Sequence, residues 1–362
     1  MEHYNPLTGN EAKDDRFITV GEIMLRLTPP NYEKIRMASS FEISYGGSEA
    51  NIALALANLG VDSTFFSVVP NNSLGKSAVR MLRSNDVHCT PMILSTPEQT
   101  PTHRLGSYYL ETGYGIRPST VTYDRKHSAF SEFDYSTVDL DKLLDGFTWL
   151  HLSGITPALS DSCRELILNL LKTAKAKGLT VSFDGNFRST LWTWEEARDY
   201  CTMCLPYVDV LFGIEPYHLW KDEDDHSKGD WKDGVPFQPS YEEQDEVFAH
   251  FIERYPNIKC IARHVRYAHS GSENSLKAYM YYKGHTWESK LFTFNILDRV
   301  GGGDAFASGL IYAMMNGYKP MDIINFAVAS SAIKHTIHGD ANITDNAQVI
   351  KNLMNMNFDI KR

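Results

Sequence analysis

The chain has 362 residues, of which 35 are Lys or Arg and 45 are Asp or Glu, so its formal net charge is −10 at neutral pH. With 43% hydrophobic and 22% charged residues, it has enough apolar mass for a sizeable globular core. The acidic balance argues against a nucleic-acid partner, since nucleic-acid-binding proteins usually carry a basic face. No apolar run approaches the roughly 18 residues of a membrane-spanning helix, so we expect no membrane partner either.

The start of the chain and its cysteines bear on the cellular compartment. Residues 1–16 are polar and lack the apolar stretch of a secretion signal, so we interpret them as a flexible leader. The five cysteines are scattered and odd in number, which is typical of reduced thiols in a cytoplasmic protein. Cys201 and Cys204 form a C-x-x-C, but no second pair completes a zinc site. We therefore predict buried, inert thiols there.

The first elements mix strands, helices and irregular segments. A strand is predicted at 17–20, and a helix at 50–59 that is closed by Gly60. Segments 104–112 and 119–125 are rich in Tyr, Thr and Val and are separated by glycines and a proline, which predicts a β-hairpin. We expect lid strands from about 25–45 and 100–125 to form a small sheet outside the main one. Because exposed strand edges seek partners, a homodimer through this lid is a further expectation.

From residue 149 onwards, short apolar strands alternate with helices. The predicted strands lie at 149–152, 180–183, 208–212, 259–262 and 278–282, and the predicted helices at about 162–177, 195–205, 242–255, 305–316 and 321–335. Such alternation is typical of a parallel sheet that is covered on both faces. We therefore predict an α/β fold with a doubly wound, mostly parallel sheet flanked by helices, plus the small β-sheet lid.

One domain at 17–345 is expected to contain these elements. The charged segment 221–240, which contains Gly and Pro, is interpreted as a surface insertion in that domain. Residues 346–362 are interpreted as a C-terminal tail or helix.

The sharpest local signal is a run of three glycines, Gly301, Gly302 and Gly303, followed by Asp304 at the start of a helix. Glycine costs roughly 1 kcal/mol inside a helix or strand, so conformational propensity does not explain the run. A close approach of backbone N–H groups to an anion at a helix N-terminus does explain it. Such an anion hole beside a carboxylate suits phosphoryl transfer to an alcohol, because the carboxylate takes the alcohol proton. The alternative is that Asp304 merely caps the helix.

Two further clusters contain candidate binding residues. Gly46 and Gly47 precede a helix that carries Asn51, which indicates either a tight turn or a backbone approach to a polyol whose hydroxyl bonds Asn51. Asn186 and Arg188 follow a buried strand, and the carboxyl ends of strands in an open α/β sheet present ligands. The planar guanidinium of Arg188 suits a carboxylate or a phosphate. An arginine at such a place is also often part of a surface ion pair.

These motifs resemble a known family. The G-G-S-E-A-N start of a helix at 46–51 and the glycine-rich loop at 301–304 are similar to the two signature regions of the ribokinase/PfkB-type carbohydrate kinases. The resemblance spans about residues 17–345. Within the family, the stretches 21–30, 108–125, 151–160, 186–192 and 334–342 are similar to bacterial kinases of the sugar acid 2-keto-3-deoxygluconate (2-dehydro-3-deoxygluconate).

The resemblance implies a fold, a reaction and a set of site residues. The fold would be a doubly wound α/β domain with a β-sheet lid, and the reaction a transfer of the γ-phosphoryl group of MgATP to a sugar hydroxyl, so ATP and Mg²⁺ are the implied cofactors. By position, Asp304 would be the base and 301–303 the anion hole. The implied sugar contacts are Gly46, Gly47, Asn51, Tyr123, Arg125, Arg188 and Asp340. The implied ATP contacts are Asn186, Arg188, Arg266, Gly301 and Gly303.

The chain departs from the family pattern at two places. Gly302 stands where alanine is usual. The family's N-x-x-E motif, which helps to organise Mg²⁺ and phosphate, should fall at 212–217, but Ile214 replaces its Asn and Tyr217 its Glu. Only Glu215 is left there, as an indirect metal contact.

We therefore expect an ATP-dependent kinase that phosphorylates the terminal hydroxyl of 2-keto-3-deoxygluconate, whose carboxylate Arg125 and Arg188 would hold. The nearest alternative is a kinase of the same fold for a neutral sugar, such as fructose or ribose, or for a nucleoside. Another is a catalytically weak sugar-acid-binding protein, which the changes at 214 and 217 favour and the intact 301–304 loop opposes. A dehydrogenase would need an N-terminal glycine fingerprint that the sequence lacks.

Overall fold

The strands of the described part of the protein form two main sheets. A computed structural model describes residues 16–217, 231–232, 235–236, 240–344 and 346–356. The strands of this part of the chain are β1 Arg16–Val20, β2 Met24–Thr28, β3 Glu42–Gly46, β4 Asp62–Phe66, β5 Val68–Pro70, β6 Ile93–Ser95, β7 Ser107–Glu111, β8 Thr120–Asp124, β9 Trp149–Ser153, β10 Thr180–Asp184, β11 Val210–Phe212, β12 Trp231–Lys232, β13 Val235–Pro236, β14 Cys260–Ala268, β15 Glu273–Tyr282, β16 His285–Glu288 and β17 Phe292–Asn295.

The helices lie mostly between strands, as the alternation in the second half predicts. Those of the described part are α1 Ser48–Asn58, α2 Ser73–Arg83, α3 Ala129–Glu132, α4 Leu140–Leu143, α5 Asp161–Ala176, α6 Trp194–Cys204, α7 Tyr241–Arg254, α8 Gly302–Met315, α9 Pro320–Lys334 and α10 Ala347–Met354. One boundary matters for the site. Helix α8 begins three residues before the predicted start at 305, inside the glycine run, so Asp304 lies in its first turn.

A nine-stranded sheet forms the centre of the molecule. Its order is β16-β15-β14-β11-β10-β9-β1-β4, with β17 beside β15. Strands β4, β1, β9, β10, β11 and β14 run parallel, whereas β15, β16 and β17 pair antiparallel. The predicted α/β class with a mostly parallel sheet is confirmed. The placement of a strand at 278–282 among the parallel ones is wrong, because only residues 269–272 join β14 to β15 and a parallel crossover needs a dozen residues or more.

The central sheet is buried on both faces, which explains why its strands are almost wholly apolar. Helices α5, α6 and α7 pack on one face, and helices α1, α8 and α9 on the other. The free thiols of Cys201 and Cys204 are buried in the first of these cores, as predicted, and burial raises the pKa of both. They are therefore protonated and unreactive at neutral pH.

The second main sheet, which we call the lid sheet, has the order β3-β2-β7-β8. Its β7 and β8 are antiparallel neighbours, so the predicted hairpin is confirmed. Strand β2 pairs with β3 antiparallel and with β7 parallel. Only residues 21–23 separate β2 from the end of β1. The lid sheet therefore begins at the carboxyl edge of the central sheet, where ligands of open α/β sheets bind.

Two predicted segments lie largely outside the described residues, and a third lies partly outside them. Arg16, which the prediction places in the leader, is the first residue of β1, and residues 1–15 are not described. Within the predicted insertion 221–240, the structure describes only the short antiparallel pair β12–β13 and residue 240. Of the predicted C-terminal segment 346–362, the structure describes 346–356, most of which is helix α10. Among the described residues, no helix has the length and apolar character to cross a membrane.

Candidate active site

A cavity of about 850 Å³ lies between the central sheet and the lid sheet. Glu22, which follows β1, and Asp184, the last residue of β10, line it from the central sheet, and Tyr108 and Tyr123 line it from the lid sheet. The 301–304 loop forms another part of its wall. The carboxyl ends of the strands, the lid and the glycine-rich loop therefore meet at one place.

A second cavity, of about 730 Å³, adjoins the first. The two share Asp184, Asn186, Arg188 and Gly303, so they meet beside the start of α8. A space with two compartments that join at one loop suits two substrates that react with each other.

The start of α8 has the geometry of an anion site. Gly301 has a left-handed φ of 79°, and a Cβ there would lie 1.7 Å from the main-chain oxygen of Asp340, so only glycine fits. No side chain in the described part of the protein caps the helix, which leaves its first backbone N–H groups beside the cavity for a ligand. At Gly302, where alanine is usual in the family it resembles, a Cβ would lie 2.5 Å from Cε1 of His335. The buried His335 ring thus accounts for that departure.

Asp304 does not cap α8, so the capping alternative is not its structural role. Its Oδ1 accepts a hydrogen bond from the Ser48 hydroxyl at 2.7 Å, and its Oδ2 accepts one from Nδ2 of Asn51, also at 2.7 Å. Burial raises the pKa of Asp304 above its ordinary value, whereas these two bonds and nearby Arg188 act to lower it and Asp340 raises it further. The result is an oriented carboxylate beside the anion site, with its basicity raised by burial.

Helix α1 places Ser48 and Asn51 beside Asp304, because the start of the helix packs closely against the loop that follows β1. A Cβ on Gly47 would lie 2.1 Å from the main-chain oxygen of Glu22, so only glycine fits at this position. Of the two glycines predicted to contact the sugar, Gly47 lines the cavity, whereas Gly46 packs against the carboxylate of Asp340 and is not among the lining residues.

The end of β10 presents the predicted Asn186 and Arg188 to both cavities. Asn186 donates from Nδ2 to the Ser48 hydroxyl at 3.0 Å, so it extends the hydrogen-bond chain that starts at Asp304. Arg188 is exposed, and its Nη1 donates to the main-chain oxygens of Asn186 and Phe187. Among the described residues no carboxylate lies within ion-pair distance of Arg188, so the surface ion-pair alternative does not hold for them.

Asp184 adds a second carboxylate close to Asp304. Burial raises the pKa of Asp184 to about 7, the negative charge of Asp304 raises it too, and Arg188 opposes both effects. Its Oδ1 accepts a hydrogen bond from the backbone N–H of Asn186 at 2.9 Å. A cation or a proton at this point would relieve the repulsion between the two carboxylates.

The lid contributes Tyr123 and Arg125. Tyr123 is 45% exposed and lines both cavities. Arg125 is buried and lines the larger cavity, but its guanidinium already binds Oε2 of Glu22, through Nε at 2.9 Å and through Nη2. Oε1 of Glu22 is buried and has no hydrogen-bond partner within the described ranges. Arg125 would therefore have to serve a substrate carboxylate while it remains close to Glu22.

Asp340, another predicted sugar contact, lines the cavity with both of its carboxylate oxygens occupied. Oδ1 accepts a hydrogen bond from Nη1 of Arg26 at 2.6 Å, and Oδ2 accepts one from the Tyr108 hydroxyl. Both donors belong to the lid sheet. In this structure, the carboxylate therefore joins the lid sheet to the core.

Positive charge lines the cavity although the chain as a whole is acidic. Arg188, Arg266 and Arg299 line it, and none of the three has a carboxylate within ion-pair distance among the described residues. Arg263 also lines it, but it is paired with Glu215 at 3.3 Å. Three such arginines around one anion site fit ligands that carry several negative charges.

Four residues of the cavity wall were not among the predicted site residues: Ser48, Glu22, Asp184 and Arg299. All but Glu22 stand close to predicted site residues: Ser48 lies inside the G-G-S-E-A-N motif, Asp184 lies two residues before Asn186, and Arg299 lies two residues before the triple glycine. Glu22 follows the end of a predicted strand. Their position could have identified them as candidates, because polar residues at strand ends and inside glycine-rich turns often face a binding site.

Removal of the Ser48 hydroxyl tests this hydrogen-bond chain. We expect Ser48→Ala to lower kcat about 10- to 100-fold, since a hydrogen bond to a charged group is worth about 1.5–3 kcal/mol. The measurement is steady-state kinetics of ATP-dependent sugar phosphorylation. Ser136→Ala is the matched control, because it removes a serine–aspartate bond of the same length, 2.7 Å to Asp134, on the surface. Equal kcat values for the two variants would contradict a role of Ser48 in orienting Asp304.

An amide-lined helix N-terminus beside a carboxylate, on an open α/β sheet with a lid, is the arrangement expected of the ribokinase-like phosphotransferases that the sequence resembles. Similarity to known proteins identifies the family. The family model for pfkB family carbohydrate kinases matches residues 14–216. A 2-dehydro-3-deoxygalactonokinase of Haloferax volcanii is 31% identical over 323 residues, which cover 89% of this chain and 92% of that protein. A 2-dehydro-3-deoxygluconokinase of Bacillus subtilis is 27% identical over 327 residues, which cover 89% and 90%.

A solved structure with a similar name has the same fold. The crystal structure of 2-dehydro-3-deoxygluconokinase from Thermotoga maritima superposes with a TM-score of 0.84 at 36% identity, covering 94% of this chain and 99% of that one. The chain belongs to the PfkB family of carbohydrate kinases. The predicted resemblance and the predicted enzyme class are thus confirmed, ATP is the phosphoryl donor that this class uses, and the dehydrogenase alternative is wrong.

Proposed function

We propose that the protein phosphorylates the terminal hydroxyl of 2-keto-3-deoxygluconate with ATP, to give the 6-phosphate. The observation that carries this proposal is the cavity around Asp304, where Arg188, Arg266 and Arg299 lie beside a helix N-terminus and find no carboxylate partner among the described residues. The triphosphate of ATP alone accounts for part of this charge. A sugar acid accounts for the remainder, because its carboxylate adds a second anion to the same cavity.

Asp304 and the 301–304 loop would carry the chemistry. The carboxylate accepts the proton of the sugar hydroxyl as the oxygen attacks the γ-phosphorus, and the bond to the leaving β-phosphate oxygen breaks. Ser48 and Asn51 hold the carboxylate in orientation through their two hydrogen bonds. The backbone N–H groups of Gly301, Gly302 and Gly303 stabilise the charge on the transferring group. Gly47, Asn51 and Tyr123, which line the cavity, are proposed to contact the sugar.

Arg188 and Arg125 are proposed to hold the substrate carboxylate. Arg188 lies at the junction of the two cavities, near enough to Asp304 to lower its pKa. Arg125 lies on the lid side and is already bound to Glu22. We therefore assign the larger share of carboxylate binding to Arg188. Asp340 is proposed as a further sugar contact. Each of its carboxylate oxygens accepts one bond from the lid sheet, so a sugar hydroxyl would have to donate a second bond to one of them.

The ATP side is proposed to include Asn186, Arg188, Arg266 and the amides of Gly301 and Gly303. No group of three or more His, Cys, Asp or Glu in the described residues is arranged to hold a metal ion. That fits Mg²⁺, which is bound through one or two carboxylates plus substrate phosphates and water, with Asp184 and Glu215 as the candidates in the second cavity. Bound there, the ion would neutralise phosphate charge.

Two further expectations belong with this function. The use of ATP and the free, buried thiols support a cytoplasmic location.

A homodimer through the lid is supported by the exposed apolar side chain of Ile43 on the edge strand β3. Sedimentation of the purified protein measures this assembly directly.

An assay of the purified protein with MgATP decides the substrate. We expect turnover of 2-keto-3-deoxygluconate to exceed that of fructose, ribose and adenosine. Its C4 epimer, 2-keto-3-deoxygalactonate, belongs in the same panel, because a relative at 31% identity is named for that sugar acid. Brisk turnover of a neutral sugar without turnover of either acid would overturn the sugar-acid proposal and leave the kinase assignment intact.

Replacement of Arg188 separates carboxylate recognition from catalysis. We expect Arg188→Leu to raise KM for the sugar acid about 10- to 100-fold, since a charge-assisted bond is worth about 1.5–3 kcal/mol. The comparison is KM for a neutral sugar in the same variant, which should change much less. A parallel rise in both KM values would contradict the carboxylate assignment, and a rise confined to KM for ATP would leave Arg188 as a contact of the phosphates alone.

A further inference from the structure

A buried charge network joins the lid sheet to the loops on either side of the anion site. Arg26 lies on β2, a central strand of the lid sheet, and only 3% of its surface is exposed. Its Nη2 binds Oδ2 of Asp298 at 2.5 Å and its Nη1 binds Oδ1 of Asp340 at 2.6 Å. Both carboxylates are also buried. One side chain of the lid therefore bridges two acidic residues of the core.

Asp298 holds the chain on both sides of the anion site. Its Oδ1 accepts the backbone N–H of Val300, and its Oδ2 accepts the backbone N–H of Gly339, both at 3.1 Å. The 301–304 loop starts directly after Val300. Asp298 thus orders the approach to that loop and ties it to the 339–340 segment.

Asp340 contacts the anion site through its backbone. Its main-chain oxygen lies so close to Gly301 that a Cβ on that residue would be 1.7 Å away. The side chain of Asp340 is fixed by Arg26 and by the hydroxyl of Tyr108, both from the lid sheet. A displacement of the lid sheet would therefore reach Gly301 through Asp340.

A second buried cation completes the network. Lys334, at the end of α9, is 0% exposed, and its Nζ donates to the main-chain oxygens of Asp298 and Ile337, at 3.4 and 3.1 Å. Two cations, Arg26 and Lys334, therefore balance two carboxylates within the network. Without Arg26, the carboxylates would carry uncompensated charge close to the start of α8, where the proposed function places the anionic phosphoryl group.

We propose that Arg26 is a positioning residue for phosphoryl transfer, which docks the lid sheet onto Asp298 and Asp340 and thereby sets the anion site. Arg26 does not itself line the cavity. It acts through the two loops that hold Gly301, and through the lid that separates the reacting groups from water. The proposal rests on the kinase activity of the family and not on which sugar is the substrate.

Full-length Arg26→Met, assayed with the best sugar substrate of the wild-type protein, tests the proposal. We expect kcat to fall by about 100-fold or more, the scale seen when one stabilising group of a transition state is lost. We also expect more ATP to be hydrolysed per sugar phosphorylated, because an undocked lid admits water. Arg26→Lys should recover part of kcat, since an ammonium reaches one carboxylate but not both.

Arg117→Met is the matched control, because Arg117 is a lid arginine that donates from Nη2 to the main-chain oxygen of Tyr32 and does not touch Asp298 or Asp340. Its kcat and its hydrolysis ratio should stay within about threefold of the wild-type values, as for most changes outside a site. Equal losses in the two variants, or an unchanged hydrolysis ratio in folded Arg26→Met, would overturn the proposal, since a purely structural role lowers both reactions together.

Tyr108→Phe decides the question if Arg26→Met does not fold. It deletes only the hydroxyl that the lid sheet donates to Asp340 and keeps the ring in place. Desolvation raises the pKa of Tyr108, so the hydroxyl remains a donor at neutral pH. We expect about a tenfold loss of kcat, the effect of one hydrogen bond to a charged group, with a raised hydrolysis ratio. Wild-type values of both quantities would overturn the proposal.

Discussion

The Asp304→Asn variant should lose about 10³-fold or more in kcat, since proton transfer by a positioned side chain contributes about 10²–10⁴-fold. Asparagine keeps the shape of the side chain, but it cannot take the proton of the sugar hydroxyl. The bonds from Ser48 and Asn51 show that the wild-type side chain accepts on both oxygens, as an ionised carboxylate does. Single-turnover kinetics with saturating ATP and sugar measure the chemical step directly.

Loss of folding would not explain this result. Burial raises the pKa of Asp304, so its ionised form is disfavoured in the folded protein relative to the unfolded chain. This penalty grows with pH between the ordinary carboxyl pKa and the raised pKa of the folded protein and is constant above it, and the uncharged asparagine of the variant does not carry it. We therefore expect the free energy of unfolding at pH 8, from urea denaturation, to be equal or higher in the variant.

The same direction of shift fixes the pH dependence of the wild-type enzyme. The base works only when it has lost its proton, so kcat should fall as the pH falls through a pKa that lies above the ordinary aspartate value.

Asp161→Asn is the matched control for Asp304→Asn, since Asp161 also lies in the first turn of a helix but is exposed to solvent. A kcat for Asp304→Asn within about tenfold of that control would show that the base is another group.

The Gly301→Ala variant should lose about 10²-fold or more in kcat, comparable to the loss of one oxyanion-hole donor. A Cβ at this position would overlap the main-chain oxygen of Asp340, so the loop or the 339–340 segment must move. Either movement displaces the first N–H groups of α8 from the anion. The left-handed φ of Gly301 adds a conformational cost of about 1–2 kcal/mol.

Gly317→Ala separates these two effects. Gly317 follows the other end of α8 with a left-handed φ of 63°, but a Cβ there meets no atom of the described residues within 4 Å. This control therefore carries the conformational cost without the overlap, and its kcat should match that of the wild type. We expect Gly301→Ala to be destabilised by about 1–3 kcal/mol more than Gly317→Ala, because of overpacking. Equal kcat values for the two variants would mean that the anions bind elsewhere.

The features that sequence reasoning predicted are those with a local signature. The alternation of apolar strands and helices after residue 149 predicted the central sheet, since a strand buried on both faces has to be apolar throughout. The Tyr- and Thr-rich segments around 104–125 predicted the β7–β8 hairpin because aromatic and β-branched residues favour strands and the glycines and proline between them favour a turn. The three glycines before Asp304 predicted a close backbone approach, which the structure shows at Gly301, because few other structural needs require such a run.

The contacts that sequence reasoning missed join residues far apart in the chain. The bond between Ser48 and Asp304 spans 256 positions, and that between Arg26 and Asp340 spans 314. Nothing local to Arg26 distinguishes a buried arginine from an exposed one on a lid strand. The antiparallel return of β15 was missed because its apolar residues fit a parallel strand equally well, and only the short 269–272 connection reveals the direction.

A crystal structure of the protein with ADP and 2-keto-3-deoxygluconate tests the central claim most directly. The account predicts the terminal hydroxyl oxygen of the sugar within about 3 Å of a carboxylate oxygen of Asp304, the reach of a general base. It also predicts the β-phosphate of ADP directed towards the N–H groups at the start of α8. A sugar bound with that hydroxyl remote from Asp304, or a nucleotide remote from the glycines, would contradict it.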